Sequence, residues 1–502
     1  MKKLLVYALL LSLVVLASCN KFLDLKPQDG IVGNEFWNTK EQVEAAVIGI
    51  YSSMQASSDR LVPGINDRAA SLPELMFLWG EGRGDMVTPA FRADQDEQDM
   101  VNLNMLPTNK YVSWRLFYQT INYCNTVIDK APGVLDKDKT FSQVQLDRAV
   151  GEALTIRALM YFYLVRSFRD VPLKLNATVS DVDVVNIPKS SADTVLTQII
   201  ADLKKAEAYL PLTYGSVNKD KGRVTRYAVN ALLADVYMWT DKYTEAVTEC
   251  DKIINSKNFG LVSGRSFFND VFLRGNSNES IFELQFDVQR LNPFFYIHSP
   301  GAKRWGAAVT LSDELYGVDL VSSIPVVDVR GEYAAYRPTD LTILKYIAAD
   351  EIGNTVNPDQ ASSNWIFYRY ADILLLKAEA LNQLNQPLEA SRIVKTIRSR
   401  ANALDVKVMD STSKSGMTTF ILEERQREFA FEGKRWYDVL RVAKRNNYEN
   451  LNLLLNMAAK SIPGERRQAA FAKLRDKNSH YFPIFVYEMQ TNKLLEQNPF
   501  YK

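Results

Sequence analysis

Apolar residues recur along most of the chain with the period of an amphipathic α-helix. Between residues 41 and 54 they stand at positions 43, 46, 47, 50, 51 and 54, which is the spacing of one buried helical stripe. The same period marks residues 111–128, 143–168, 194–210 and 227–240. Pro172 and Pro211 follow two of these segments, where proline ends a helix because it lacks a backbone N–H donor. The pattern predicts a mostly α-helical chain.

Small residues repeat at the spacing of a helix-turn-helix unit of about 34 residues. Ala234 and Ala246 stand twelve positions apart across a short polar turn, and Ala378 and Ala390 do the same. A degenerate third copy lies near Ala158. Because packed helix pairs need small residues where the two helices face each other, we predict stacked helix pairs. The scaffold would comprise residues 41–255 and a C-terminal part over residues 364–502.

Two stretches break the helical period and are predicted to face a ligand, since loops on a rigid scaffold often carry function. The larger is an insertion over residues 256–363, rich in turn signals, with short β-like runs at 280–286, 324–329 and 344–347. The smaller covers residues 59–108 and is expected to be non-helical. It contains the run WGEGRGD at 79–85, whose three glycines permit close approach of the backbone.

The first residues have the pattern of an export signal. Lys2 and Lys3 precede an apolar stretch at 4–17, which is too short to span a bilayer comfortably. The run LASC at 16–19 resembles the lipobox of bacterial lipoproteins, so residues 1–18 are predicted to be a signal peptide and Cys19 the lipidated first residue. Residues 19–40 would form the lipidated N-terminus and tether. Acyl chains on Cys19 would anchor the protein to a membrane without spanning it.

Composition excludes several functional classes. Sixty Lys and Arg balance 59 Asp and Glu, so the net charge of +1 lacks the basic excess of nucleic-acid binders. Two histidines and three cysteines without a CxxC pair suggest neither a zinc site nor a disulfide framework. Cys124 and Cys250 lie within helical periods and are predicted to be buried small apolar residues. We therefore expect a globular protein that does not bind nucleic acid.

No familiar catalytic signature appears, because the chain lacks GxSxG, HExxH and Walker-type motifs. The acidic run at 423–428 is interpreted as a salt-bridged helix face rather than a pair of catalytic carboxylates. His480 has no second histidine nearby and is predicted to be a hydrogen-bonded structural residue. The sequence thus predicts a protein that is not an enzyme.

Aromatic residues are abundant, and flat rings bordered by hydrogen-bonding groups suit the faces of sugar rings. Five of the seven tryptophans lie in predicted helices, at a helix entry or in C-terminal segments, so Trp79 and Trp305 remain as candidates for ligand stacking. Side chains near them in sequence complete the candidate set. The predicted ligand-binding residues are Trp79, Arg83, Asp85, Phe294, Tyr296, Arg304 and Trp305.

Several segments, taken in order, resemble the SusD/RagB family of surface nutrient-binding lipoproteins, and the resemblance covers nearly the whole chain. They are the lipobox before Cys19, FLD at 22–24, YRYADILL at 368–375, IRSRA at 397–401, EER at 423–425, EFAFEG at 428–433, RWYD at 435–438, FPI at 482–484 and QNP at 497–499. The chain departs from the family's closing pattern at Phe485, Lys493 and Phe500, which affects only local turns.

This resemblance implies a tetratricopeptide-like helical repeat scaffold with a large, loop-rich, partly β insertion. It implies a lipid-anchored protein exposed on the cell-surface side of the outer membrane, whose partner is a SusC-like TonB-dependent transporter. The variable lobe would hold an oligosaccharide or, in some members, a peptide. We expect the chain to capture such a nutrient and deliver it to the transporter.

Other possibilities stay open at this point. The chain could be a peptide-binding member, or a protein-interaction scaffold, since helical repeats usually bind proteins. A secreted glycoside hydrolase would need two convergent carboxylates, for which Asp85, Asp313, Glu314 and Asp328 are present. No cofactor is expected. The metal content is open, because scattered acidic residues in the insertion could hold a structural calcium ion.

Overall fold

The computed structural model describes most of the chain. The described residues are 36–55, 70–179, 185–311, 315–317, 322–323, 326–347, 349–350, 353–404 and 408–502. The predicted signal peptide, Cys19 and most of the predicted tether lie outside them, as do Asp313 and Glu314.

Helices dominate the N-terminal half, and several begin at the caps that the sequence provides. Thr39, Asp94 and Ser142 each accept a hydrogen bond from the backbone of the first turn, in reciprocal capping boxes with Gln42, Glu97 and Gln145. The helices up to residue 255 are α1 (Lys40–Met54), α2 (Leu72–Glu81), α3 (Gln95–Val101), α4 (Arg115–Lys130), α5 (Val134–Lys137), α6 (Gln143–Phe168), α7 (Ala192–Tyr209), α8 (Val217–Gly222), α9 (Arg226–Trp239) and α10 (Tyr243–Ile254).

The remaining elements alternate short strands with helices and then become helical. The strands are β1 (Val87–Pro89), β2 (Ser280–Leu284), β3 (Trp305–Ala307), β4 (Tyr336–Arg337), β5 (Thr342–Ile343) and β6 (Trp365–Arg369). The later helices are α11 (Phe295–His298), α12 (Tyr370–Gln383), α13 (Pro387–Ala401), α14 (Lys414–Glu428), α15 (Arg435–Tyr448), α16 (Leu451–Ser461), α17 (Gly464–Leu474) and α18 (Val486–Thr491). Within α15 the backbone leaves helical geometry at residues 445–447.

The predicted helix pairs are confirmed. Helices α9 and α10 form one antiparallel pair and α12 and α13 another, and α10 packs against α12 to continue the layer. Ala234, Ala246, Ala378 and Ala390 are all fully buried, which is what close packing of these helices requires. Ala158 is also fully buried, in α6, which packs against α7 as the third pair. The mostly helical scaffold of stacked helix pairs expected from the sequence is therefore observed.

The short strands join distant parts of the chain into two-stranded antiparallel ribbons. Strand β1 pairs with β3, β2 with β6, and β4 with β5. The β1–β3 ribbon attaches the segment after α2 to the insertion, because Pro89 stands opposite Trp305. The β2–β6 ribbon ties the insertion to the start of the C-terminal helices, with Leu284 opposite Trp365.

Two predictions about the loop-rich stretches need correction. The region 59–108 is partly helical, because Ser71 caps α2 with Pro73 in its first turn and Asp94 caps α3. The run at 280–286 does contain β2, but residues 345–347 form turns instead of a strand. There Tyr346 has a φ of +70°, outside the strand region. In the run at 324–329, residues 324–325 lie outside the described residues and residues 326–329 form no strand.

Buried charge is concentrated on α14. Arg330, from the insertion, donates to Asp328 at 2.6 Å, to Glu424 at 2.6 Å and to Glu428 at 2.9 Å, and all four side chains are buried. The acidic run is thus structural, as predicted. The prediction placed these charges on a helix face in contact with solvent. In the structure, the paired carboxylates face the protein interior instead. A charged side chain in such a position requires this number of partners.

A second arginine extends this network to the strands. Arg369, the last residue of β6, donates to Glu279 at 2.5 Å, to Glu428 at 2.6 Å and to Glu432 at 2.9 Å. Lys345 reaches Glu432 from the insertion at 2.8 Å. The carboxylates on and just after α14 therefore hold the insertion, β6 and the C-terminal helices together.

Helix α13 supplies the remaining cations. Arg398 donates to Glu424 at 2.9 Å, and Arg400 donates to Glu428. Burial alone would raise the pKa of Glu428, but Arg400, Arg369 and Arg330 together hold it well below its ordinary value of 4.5. Arginine suits such a buried network, because its planar fork bonds two carboxylates at once and stays charged.

A neighbouring set of buried ion pairs joins α12, α14 and α15. Arg425 donates to Asp372 at 2.9 Å and forms an ion pair with Asp438 at 2.9 Å, and Arg441 donates to Glu379 at 2.8 Å. Burial would raise the pKa of Asp372, but nearby cations lower it to about 2. The last repeat helices are thereby fixed to the C-terminal segment by charge as well as by apolar packing.

Replacing Glu428 by Gln should destabilise the fold by about 3–5 kcal/mol at pH 7, because three buried arginines lose their shared anion. The pKa of Glu428 is lowered in the folded state, so its stabilising effect is fully present above pH 4.5 and is lost as the pH falls below that value. Urea unfolding of both proteins from pH 7 to pH 3 measures this difference, which should shrink with acid.

The matched control is Glu389→Gln, which removes an exposed partner of Arg392 on α13. Exposed pairs contribute little, so we expect a change below about 0.5 kcal/mol. Equal effects of the two substitutions would show that the buried network does not join the parts of the fold.

Candidate functional site

Trp79 lies inside the scaffold. It belongs to α2, is fully buried, and stacks on Phe117 with ring centroids 4.3 Å apart. Its indole Nε1 donates to the backbone oxygen of Tyr111 at 2.7 Å. Neither ring face is accessible to a ligand, so the prediction of Trp79 as a stacking residue is corrected by its burial.

The neighbouring Arg83 and Asp85 also serve the core. The Arg83 guanidinium lies between the rings of Trp436 and Phe482, 4.0 and 3.8 Å from their centroids, and donates to the backbone oxygen of His480 at 2.8 Å. Asp85 accepts from Arg435 at 2.7 Å. Both side chains are buried. The predicted turn that would bind sugar hydroxyls is instead a packing contact with the C-terminal helices.

The glycines of this run allow α2 to cross the turn after α14 at very short range. A Cβ atom on Gly80 would lie 1.7 Å from the backbone oxygen of Gly433. Gly433 itself has a φ of +69°, which favours glycine. The backbone N–H groups of Gly433 and Lys434 donate to Glu81. Close approach of backbone, predicted for this run, is therefore observed, but between two parts of the protein.

Trp305 and two of its predicted companions are buried as well. Trp305 is fully buried in β3, and its Nε1 donates to Glu97 at 2.9 Å. Arg304 is paired with Glu74, and Phe294 stacks on Trp365 with centroids 4.9 Å apart. These rings and charges pack the lobe against α2 and α3. The prediction that they contact a ligand is corrected for the same reason as for Trp79.

The predictions of structural roles elsewhere are confirmed. His480 is buried, with its Nε2 2.8 Å from the backbone oxygen of Leu474. Burial lowers the pKa of His480 to about 4, so the ring is neutral at pH 7. Cys124 and Cys250 are buried free thiols whose pKa values are raised by burial, so neither is a reactive thiolate.

Among the predicted ligand-binding residues, Tyr296 has a side chain that faces solvent. Phe91, which the sequence did not single out, lies near it. Their exposed fractions are 57% and 69%. Two backbone hydrogen bonds bring them to one place: Arg92 N–H donates to the oxygen of Lys303 at 3.1 Å, and Arg304 N–H donates to the oxygen of Ile297 at 2.9 Å. Phe91 and Tyr296 therefore flank the same short segment, residues 303–304.

Tyr333 is a third exposed ring of the lobe. Its backbone N–H donates to the oxygen of Tyr336 in β4 at 2.8 Å, and Asp340, in the turn between β4 and β5, pairs with Lys303 of the segment 303–304. We call the surface formed by Phe91, Tyr296 and Tyr333 the aromatic rim.

Charged groups lie beside the rim. The Arg92 guanidinium is 5.7 Å from the centroid of the Phe91 ring. Arg337 donates to Asp340 at 2.8 Å and 3.0 Å, and these hydrogen bonds, the largest influence, lower the pKa of Asp340. Rings flanked by such donors and acceptors can bind the apolar face of a sugar and its hydroxyl groups together.

The sequence missed Phe91 and Tyr333. Phe91 stands in the smaller of the two loop stretches and Tyr333 in the larger, whereas the tryptophans predicted within these stretches are buried. The stacking candidates were selected among the tryptophans alone, and tryptophan side chains are highly buried on average. The sequence gives only weak signals that these rings are exposed. They are Pro89 and Ala90 before Phe91, and the charged residues around Tyr333.

Carboxylates proposed for the hydrolase alternative do not converge within the described residues. Asp85 and Asp328 are buried and paired with Arg435 and Arg330. The part of the chain covered by the structure holds no group of three or more His, Cys, Asp or Glu side chains placed to bind a metal ion. Among these residues, no helix has both the length and the apolar character needed to cross a bilayer.

A helical repeat scaffold that carries a loop-rich lobe is the fold of solved SusD-like proteins. A SusD superfamily protein from Bacteroides vulgatus has the same fold, with a TM-score of 0.74, 23% identity, and coverage of 93% of this chain and 100% of its own. A laminarin-binding SusD-like protein has a TM-score of 0.67 at 19% identity, covering 92% of this chain and 99% of its own.

The chain belongs to the SusD/RagB family. Residues 314–501 match the profile described as SusD family, and residues 21–238 match the one described as starch-binding associating with outer membrane. SusD-like protein P38 of Formosa agariphila is 28% identical over 488 residues, 87% of this chain and 91% of the relative. A SusD-like protein of Bacteroides ovatus is 24% identical over 86% of this chain and 80% of its own length.

Substituting Gly80 by Ala should destabilise the protein by about 3 kcal/mol or more, because the new methyl group would overlap the backbone of Gly433. Gly49→Ala is the matched control, since nothing lies within 4 Å of a Cβ at that helical position. The control should be stabilised by about 0.5–1 kcal/mol through helix propensity. Chemical unfolding measures both, and a neutral Gly80→Ala would contradict the close contact.

Proposed function

We propose that this protein is a lipoprotein that captures an oligosaccharide on its aromatic rim and delivers it to a TonB-dependent outer-membrane transporter. The acylated Cys19 would hold it at the outer membrane. Membership of a family described as starch-binding and associated with the outer membrane supports the ligand class and the location. The laminarin-binding relative of the same fold supports a glycan as ligand.

The observation that carries this proposal is the exposure of Phe91 and Tyr296 on either side of residues 303–304. Large rings at more than half exposure are costly in water, since each leaves apolar surface unburied. A pyranose covers such a ring with its C–H face, while Arg92 and the groups near Arg337 supply hydrogen bonds to the hydroxyls. The rim thus has the chemistry of a sugar-binding surface.

Binding without cleavage is the mechanism we infer. Glycoside hydrolysis needs two carboxyl groups that flank the bond, about 5–10 Å apart. Within the described residues, Asp340 near the rim is already bonded to Arg337 and Thr342, and its lowered pKa makes it a poor proton donor. Release of an unmodified oligosaccharide to the transporter is consistent with this chemistry.

Replacing Phe91 and Tyr296 together by Ala should weaken binding of oligosaccharide about thirtyfold, since each stacked ring contributes about 1 kcal/mol. Titration calorimetry with laminarin and with maltoheptaose measures the affinity. Tyr123→Ala, at an exposed tyrosine of α4 on the scaffold, is the matched control and should bind as the unmodified protein does.

Unchanged affinity of the double variant would refute the aromatic rim as the site. Binding of peptides with no glycan bound would favour a peptide-binding member of the family. Release of reducing ends from either glucan during the titration would favour the hydrolase, and association with a transporter without any small ligand would favour an interaction scaffold.

Acylation of Cys19 is tested separately in cells of a Gram-negative host. The full-length chain should incorporate labelled palmitate and fractionate with the outer membrane, because several acyl chains give stable anchoring. The Cys19→Ser variant should neither incorporate the label nor fractionate with the outer membrane. Cys124→Ala, at a buried thiol, should do both. Retention of the label by Cys19→Ser would exclude this residue as the anchor.

A further inference from the structure

An open cleft of about 640 Å³ lies on the scaffold side of the insertion, apart from the aromatic rim. Its walls are the segment from Leu212 to Lys221, the start of α9 at Tyr227, and two turns that carry Phe259 and Asn278. We call it the amide cleft, because Asn258, Asn276 and Asn278 all line it. It shares no lining residue with the rim, and its volume is within the range of small-molecule sites, about 300–1,000 Å³.

The floor of the amide cleft is held rigid by contacts within the protein. The rings of Phe259 and Tyr227 meet edge to face at 5.2 Å, and Asn258 donates to the Tyr227 hydroxyl at 2.8 Å. Asn276 and Gln285 exchange two amide hydrogen bonds of 2.9 and 3.0 Å. A site whose walls are already ordered loses little entropy when a ligand binds.

The two charged residues of the cleft are engaged by the protein. Lys221 donates to the backbone oxygen of Ser280 at 2.5 Å, and its Nζ lies 4.4 Å from the centroid of Phe259. Asp220 accepts from the backbone N–H of Tyr214 and, at 2.7 Å, from the hydroxyl of Thr213. One charge of each sign, each with partners, gives the cleft no preference for an ionic ligand.

The groups left to meet a ligand are a primary amide and aliphatic surface. The Asn278 side chain is exposed and makes no hydrogen bond to another described residue, so both its donor and its acceptor are free. Leu212 and Val217 are exposed beside it, although both are apolar. A free amide next to uncovered aliphatic surface matches a ring that carries hydroxyl groups on its edge and C–H groups on its face.

We propose that the amide cleft is a second binding site, which takes a short neutral segment of an oligosaccharide. The ligand class rests on the proposed function, whereas the location rests on the cleft itself. Two sites on one anchored protein would hold a single long glycan more firmly than either site alone, because binding at the second becomes intramolecular.

The test compares three variants of the full protein by titration calorimetry and hydrogen exchange, with maltoheptaose and laminarin oligosaccharides as probes. Asn278→Leu removes the free amide at an exposed position. Asn176→Leu makes the same change at an exposed asparagine outside the cleft. Phe91→Ala with Tyr296→Ala removes two rings of the rim.

We expect the unmodified protein to bind two short oligosaccharides and to protect the backbone amides of residues 258–260 and 274–278 from exchange. Asn278→Leu should weaken the cleft site about tenfold, the effect of losing hydrogen bonds to one amide, and shift that protection to about tenfold higher ligand concentration, while the rim site is unchanged. Asn176→Leu should have no effect. The double rim variant should keep the protection around the cleft.

A single site that only the rim variant removes would overturn the amide cleft and leave the proposed function standing. A single site that only Asn278→Leu removes would support the cleft and refute the rim. Protection of the cleft by a peptide and by neither glycan would overturn this proposal, and binding of neither glycan anywhere would overturn both.

Discussion

Buried ion pairs on one stretch of chain hold this protein together. Glu424 and Glu428 on α14, with Glu432 just beyond it, accept hydrogen bonds from arginines and a lysine that come from the insertion, β6 and α13. Each of these carboxylates is inaccessible to water, so each depends on its partners to remain charged. No partner can leave without exposing an unpaired buried charge, and the segments can therefore pack in only one arrangement.

This constraint determines where the insertion can carry function. Its side toward α14 is occupied by Arg330 and Lys345, and its side toward α2 and α3 is occupied by Trp305 and Arg304. The edge that bears Tyr296 and the turns that line the amide cleft are the parts of the insertion that remain open to a ligand. A rigid attachment on two sides gives that edge a fixed shape, which a surface that recognises a sugar through weak contacts requires.

The sequence predicted the scaffold well because helix packing depends on local spacing, as the burial of Ala234 and Ala246 shows. It predicted the family from segments such as EER at 423–425, whose arginine and glutamate are buried partners of other segments. It did not identify the exposed rings, because the exposure of a side chain depends on the tertiary structure. The apolar pattern places Trp79 outside the predicted helices, yet Ser71 and Pro73 start a helix that carries it into the core.

If the protein passes a glycan to a transporter, as proposed, modest affinity is an advantage. Stacking on Phe91 and Tyr296 would contribute only about 2 kcal/mol, and tighter capture would slow release because affinity differences appear mainly in the dissociation rate. Membrane attachment and contact at a second site would compensate by keeping a long glycan near the surface between dissociation events. Exposed rings on a rigid edge meet this requirement better than a deep pocket, since a glycan can leave them one sugar at a time.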